Sequence, residues 1–133
     1  MSFEQTLTSI TLEADASLGI YTGVPGLPGS AVPNSGMIYR FVKVTGSLQC
    51  GLCVAATDKA VGIMQNKPQR PGQAATVSIM GISNITAGAA IVAGAIVASD
   101  ATGRAVTDAV NGKWQALMPA AGAGELIPVL RVI

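Results

Sequence analysis

The chain has 133 residues, enough for one domain with its own core, and carries a formal charge of +1 with only 11% charged residues, well below the roughly 25% of ordinary globular proteins. Its eight basic residues are spread along the sequence and aromatics make up 4%, which argues against a phosphate-tracking or base-stacking nucleic-acid binder. A chain with so few charges is expected to have much of its surface covered, which points towards an assembly.

The opening MSFEQTLTSITLEAD lacks the basic start and apolar run of a secretory leader, which predicts synthesis and retention in a cytoplasm. From Ile10 to Ile20 every even position is apolar (Ile10, Leu12, Ala14, Ala16, Leu18, Ile20), and the odd positions hold Thr11, Glu13, Asp15, Ser17 and Gly19. Strict alternation predicts an extended strand with one covered face, against the helix that LEADASL alone would favour. GVPGLPGSAVPNSG (23–36) follows, and its prolines and glycines make it a linker. Residues 1–36 therefore read as an extended arm and linker, with residues 37–133 as the compact domain. An unattached apolar face on an arm predicts a partner outside the domain, and the candidate contacts are Phe3, Leu7, Ile10, Leu12, Leu18 and Ile20.

In the compact part, MIYRFVKVTG (37–46), QCGLCVAAT (49–57) and AVGIMQ (60–65) are rich in strand formers. NKPQRPGQ (66–73) is an exposed loop containing Pro68 and Gly72. AATVSIMGISNI (74–85) alternates again, placing Val77, Ile79, Gly81, Ser83 and Ile85 on one face. Residues 85–99 carry no charge, but repeated glycine opposes a helix and the run is too short and Gly-rich for a bilayer span. Short strands joined by Gly turns fit it better, closed by SDATGR (99–104) with Asp100, Gly103 and Arg104 at turn spacing. In residues 108–125, KWQALM is compatible with one helical turn; LIPVLRVI (126–133) is a final strand, with Pro128 marking an edge or an irregular start. The whole predicts a mainly β protein: a small barrel- or sandwich-like domain with an extended N-terminal arm and at most one or two short helices.

No histidine is present, and the seven acidic residues sit singly, so nothing argues for acid–base catalysis; neither an enzyme nor a cofactor is expected. Cys50-Gly-Leu-Cys53 is a CxxC, yet with no further Cys or His it cannot complete a structural zinc site within one chain. On a strand, residues three apart face opposite ways and lie roughly 10 Å apart, too far for a disulfide. Two buried thiols are the expectation, with a redox dithiol as the alternative.

GIMQNKPQRPGQAATVSIMGISNITAGAAIVAGAIVASDATGRAV (62–106), followed by GELIPVLRVI (124–133), resembles the head-decoration or capsid cement proteins of tailed bacteriophages. The resemblance is carried by Gly62, Gln65, Asn66, Pro68, Gly72, Gln73, Gly88, Gly94, Ser99, Asp100, Gly103, Arg104, Gly124 and Glu125. It implies a β-rich domain on the outside of the virion capsid that locks neighbouring copies of the phage major capsid protein, often as a symmetric oligomer. A homotrimer is expected here, since closed symmetry satisfies uncharged Ala/Gly/Val surfaces without open-ended growth. No membrane, nucleic-acid or small-molecule partner is expected. A tail- or baseplate-associated β protein stays open as an alternative.

Overall fold

The computed structural model describes residues 8–18, 38–68 and 72–132. Among these the regular structure is β apart from one short 3-10 turn, arranged in two packed halves. The first is a closed five-stranded barrel in the order β1-β3-β2-β4-β5, with β1 (Thr8–Ala14), β2 (Phe41–Gly46), β3 (Gln49–Leu52), β4 (Ala60–Met64) and β5 (Ala74–Met80). The second is a five-stranded sheet in the order β6-β10-β9-β7-β8, with β6 (Ile82–Thr86), β7 (Ile96–Ser99), β8 (Ala105–Thr107), β9 (Trp114–Ala116) and β10 (Leu126–Arg131). An isolated parallel bridge between Ala87 and Ala105 draws β8 back towards the chain leaving β6, so this sheet also curls on itself.

Strand β1 departs from the expected arm. It runs antiparallel to β5 from Thr8↔Met80 to Glu13↔Ala74 and meets β3 in parallel at Glu13↔Gln49 and Ala14↔Cys50. The alternation holds as a strand only to Ala14, after which Ala16–Leu18 turn in a 3-10 helix, and the face it predicted is covered by the chain itself. Leu12, Ala14 and Leu18 are buried in the barrel core beside Val42, Cys50, Met64 and Val77, and Ile10 packs against its margin. The physical reason is that β3 and β5 would otherwise present open edges, and β1 supplies the hydrogen bonds and apolar side chains that close the gap. Residues 8–18 thus belong to the same body as the domain expected to start at 37. Phe3, Leu7 and Ile20 lie outside the described residues.

Strands β2 and β4 form a wall shared by two cores. Phe41 and Ile63 face the core of the second sheet, with Ile85, Val97, Trp114 and Ile127, while their neighbours Val42 and Met64 face the barrel interior. A strand covered on both sides carries consecutive apolar residues, which is why Phe41-Val42 and Ile63-Met64 do not alternate with polar ones. Phe41 and Trp114 meet across the boundary with ring centroids 4.8 Å apart and planes tilted by 51°. Arg131 spans the same boundary: its Nη1 donates to the carbonyls of Val61 (3.2 Å) and Ile79 (3.4 Å), and its guanidinium lies 5.1 Å from the Trp114 ring centre.

Two expectations change within the compact part. Residues 74–85 are two strands, because Gly81 (φ +88°) takes a left-handed conformation that redirects the chain from barrel to second sheet. Val77 accordingly enters one core and Ile85 the other. KWQALM contains strand β9 where a helical turn was expected, since pairing with β7 and β10 and the burial of Trp114 outweigh local helix propensity. Pro128 sits inside β10, a strand paired on both sides, but its carbonyl accepts from Leu117 N–H (2.9 Å), one residue past the end of β9. The donor it lacks therefore faces the place where that ladder stops.

Candidate functional site

The short 3-10 turn after β1 (Ala16–Leu18) is fastened through Asp15 and Ser17. Asp15 accepts from the N–H and hydroxyl of Ser17 and from Thr45 Oγ1 (2.7 Å), while Leu52 N–H donates to Ser17 Oγ (2.8 Å). These bonds hold Leu18 in the core. Of the six residues expected to grip a partner, Leu12 and Leu18 are buried in the protein's own barrel and Ile10 is half-buried there.

Of the turn residues singled out from the sequence, Asp100, Gly103 and Arg104 sit where the two halves are tied together. Asp100 accepts from Thr102 N–H (2.8 Å), Arg104 N–H (2.9 Å) and Thr102 Oγ1 (3.0 Å), and Arg104 Nε lies 3.4 Å from its second oxygen. Burial opposes ionisation of this carboxyl, but the converging donors outweigh it and hold its pKa below the usual carboxylate range. The carbonyl of Gly103 (φ +76°) accepts from Phe41 N–H (2.8 Å) in the barrel; a Cβ there would sit 2.5 Å from Leu52 Cδ1. Arg40 Nη1 donates to Thr102 O (2.8 Å). Pro68 is fully buried, and Gly72 N–H donates to Ala14 O (2.9 Å), joining the loop before β5 to the end of β1.

The other turn carboxylates are similarly engaged. Asp58 accepts from the N–H groups of Val54 (2.8 Å) and Ala55 (3.1 Å) and pairs with Lys43 Nζ (3.0 Å). The Val54 N–H is the main cause of its lowered pKa, with Lys43 and Ala55 adding to it against a desolvation cost. Asp108 accepts from Val110 and Asn111 N–H groups (3.0 and 2.9 Å). Among the described residues no group of three or more Cys, Asp or Glu side chains could hold a metal ion.

Both cysteines are free and buried, and each faces a different core: Cys50 the barrel, Cys53 the second sheet. Burial, with Asp15 nearby, pushes the Cys50 thiol up to about 11; burial, with Asp58 nearby, pushes Cys53 up to about 12. Thiols this far above neutral pH are poor nucleophiles, so the geometry does not favour a redox dithiol.

What remains for function is surface. Exposed apolar side chains include Leu48 (76%), Val92 (75%) and Val110 (90%), all at or beside turns. Two open grooves flank Arg131. One, of about 530 Å³, is apolar and lies between the ends of β5 and β10, lined by Ile79, Met80, Leu130 and Val132. The other, of about 490 Å³, is basic: Lys43, Lys59, Lys113 and Arg131 surround Val44 and Val61. The basic residues look dispersed along the sequence, yet folding brings four of the eight to this groove. Spacing carries no sign of it, because they come from β2, the start of β4, the approach to β9 and the end of β10.

Comparison with known proteins gives this surface a context. The family described as phage cement protein matches residues 34–131. Among solved structures, the N base of the head fiber gp8.5 of bacteriophage phi29 shares the fold, with a TM-score of 0.60 at 17% identity over 95% of this chain and 94% of that one. No curated protein matches the chain. Strand β1 lies outside the family match although it completes the barrel.

Proposed function

The chain belongs to the phage cement protein family and so has a capsid-associated structural role; from that premise we propose that it binds the outer face of a phage head and bridges neighbouring major capsid protein subunits. The observation that carries this reading is the family match over nearly the whole compact body, joined to a surface whose exposed apolar side chains and grooves offer contact area. The carboxylates of Asp58, Asp100 and Asp108 and the two thiols are committed to holding turns and cores, which favours a role in binding over a role in chemistry.

The mechanism is linkage. A ligand that engages only the assembled, expanded shell stabilises that shell, and one that spans two subunits also slows their separation. A homotrimer would strengthen attachment by presenting three copies of a weak contact at once. Of the arm expectation we retain Phe3, Leu7 and Ile20 as candidate capsid contacts, since Leu12 and Leu18 are already spent on the barrel.

The test is to add the purified protein to expanded, DNA-free heads and follow co-sedimentation and heat-induced disassembly. Decorated heads should survive to a higher temperature, and electron microscopy should place the added density on the outer face. A protein that fails to sediment with heads, or decorates them without raising that temperature, overturns the cementing role. Deleting residues 1–7 removes Phe3 and Leu7 but leaves strand β1: weaker decoration at unchanged stability is expected.

A further inference from the structure

We propose that the basic groove at the seam between the two halves docks an acidic, partly apolar polypeptide segment displayed on the capsid shell; this rests on the capsid-binding reading above. In a chain with 11% charged residues and a net charge of +1, convergence of Lys43, Lys59, Lys113 and Arg131 on one concavity is a strong local departure from the whole. The carboxylate of Asp58, which pairs with Lys43, also accepts from two backbone N–H groups. The ammonium groups of Lys59 and Lys113, both on exposed residues, have no ion-pair partner among the described residues.

The groove has a rigid frame. Lys43 is held by Asp58, and Arg131 is fixed by the carbonyls of Val61 and Ile79 and by the Trp114 face. Lys113 is placed by the pairing of its carbonyl with Val132 N–H (2.9 Å). Like charges gathered on a fixed frame repel one another, and a docked anionic segment relieves that repulsion. The floor selects the class of partner. Val44 (59% exposed), Ala60 and Val61 offer apolar contact to an aliphatic side chain. A nucleic acid would instead need an aromatic platform, and the nearby Trp114 is 4% exposed and covered by Arg131.

The experiment compares wild type with the double variant Lys59→Glu/Lys113→Glu and with Lys67→Glu, an exposed lysine beyond the opposite end of β4. Thermal unfolding checks that each variant folds, and Lys59→Gln/Lys113→Gln replaces the double variant if it does not. On expanded heads, the double variant should bind about tenfold more weakly or worse and with a shallower salt dependence, while Lys67→Glu matches wild type. Separately, hexaglutamate is titrated into the labelled protein by NMR, with a short DNA duplex as competitor. Shifts centred on Lys43, Lys59 and Lys113, lost in the double variant, are expected. If wild type binds heads and the double variant binds equally well, the groove is not the docking site, although the capsid reading stands. If wild type ignores heads but hexaglutamate still maps to the groove, the capsid reading fails and the acidic-ligand chemistry survives. Shifts scattered over all lysines, or displacement of the peptide by DNA at lower concentration, overturn the inference.

Discussion

The barrel and the second sheet solve the same problem with different wiring. Strands β6 to β10 come from one continuous stretch, Ile82–Arg131, and every ladder within it joins segments of that stretch. The barrel instead closes only because β1, far upstream in sequence, returns to pair with both β3 and β5. Closure that hangs on one remote strand is open to disruption at a single place, whereas the second sheet draws all its strands, including the β6–β10 pair, from within one stretch. The shared wall of β2 and β4 then decides how far a failure in one half is felt in the other.

Removing residues 1–18 should have the largest effect. It takes Leu12, Ala14 and Leu18 out of the barrel and exposes two strand edges, a loss of the order of 5 kcal/mol or more, comparable with the whole stability of a typical domain. Hydrogen exchange should show β3 and β5 amides losing protection while β9 and β10 keep theirs; simultaneous loss throughout would mean the halves are one cooperative unit. Single truncations are the finer version. Leu18→Ala and Ile127→Ala should each cost about 2–5 kcal/mol by denaturant titration, and exchange should map the first to the barrel and the second to the sheet.

Gly103→Ala probes the joint. The positive φ together with the close approach to Leu52 should cost about 1–3 kcal/mol, and the loss should appear in both halves because this turn bonds to β2. The smallest effect is acid sensitivity. Asp58, Asp100 and Asp108 all have folded pKa values below normal, so their contribution is present above the unfolded value of about 4 and disappears as pH falls through the lower folded values. The melting temperature should therefore drop as pH is taken from 4 towards 2, and Asp100→Asn should flatten part of that slope.

Much of the barrel was legible. Runs rich in strand formers marked β2 to β4, alternation marked β1, and Asp and Gly spacing marked the turn at 99–104. Periodicity identifies which face is covered but says nothing of what covers it, so Leu12 and Leu18 pointed equally well to a partner and to their own barrel. The break at Gly81 was hidden because alternation continues through it, and KWQALM misled because Lys, Gln, Ala, Leu and Met favour helices wherever pairing does not decide. The basic groove was invisible for a related reason: its lysines and arginine are neighbours only after four strands have been assembled.

Cys50 lies in β3 and Cys53 one residue past its end, each shut inside a different half. The protein therefore carries two native clocks. The rate at which a thiol reagent modifies Cys50 times the breathing of the barrel, and that of Cys53 times the breathing of its neighbour, in one sample and without any engineered probe. Measured on free and shell-bound protein, the pair of rates would reveal which half tightens when the protein takes its place on a head.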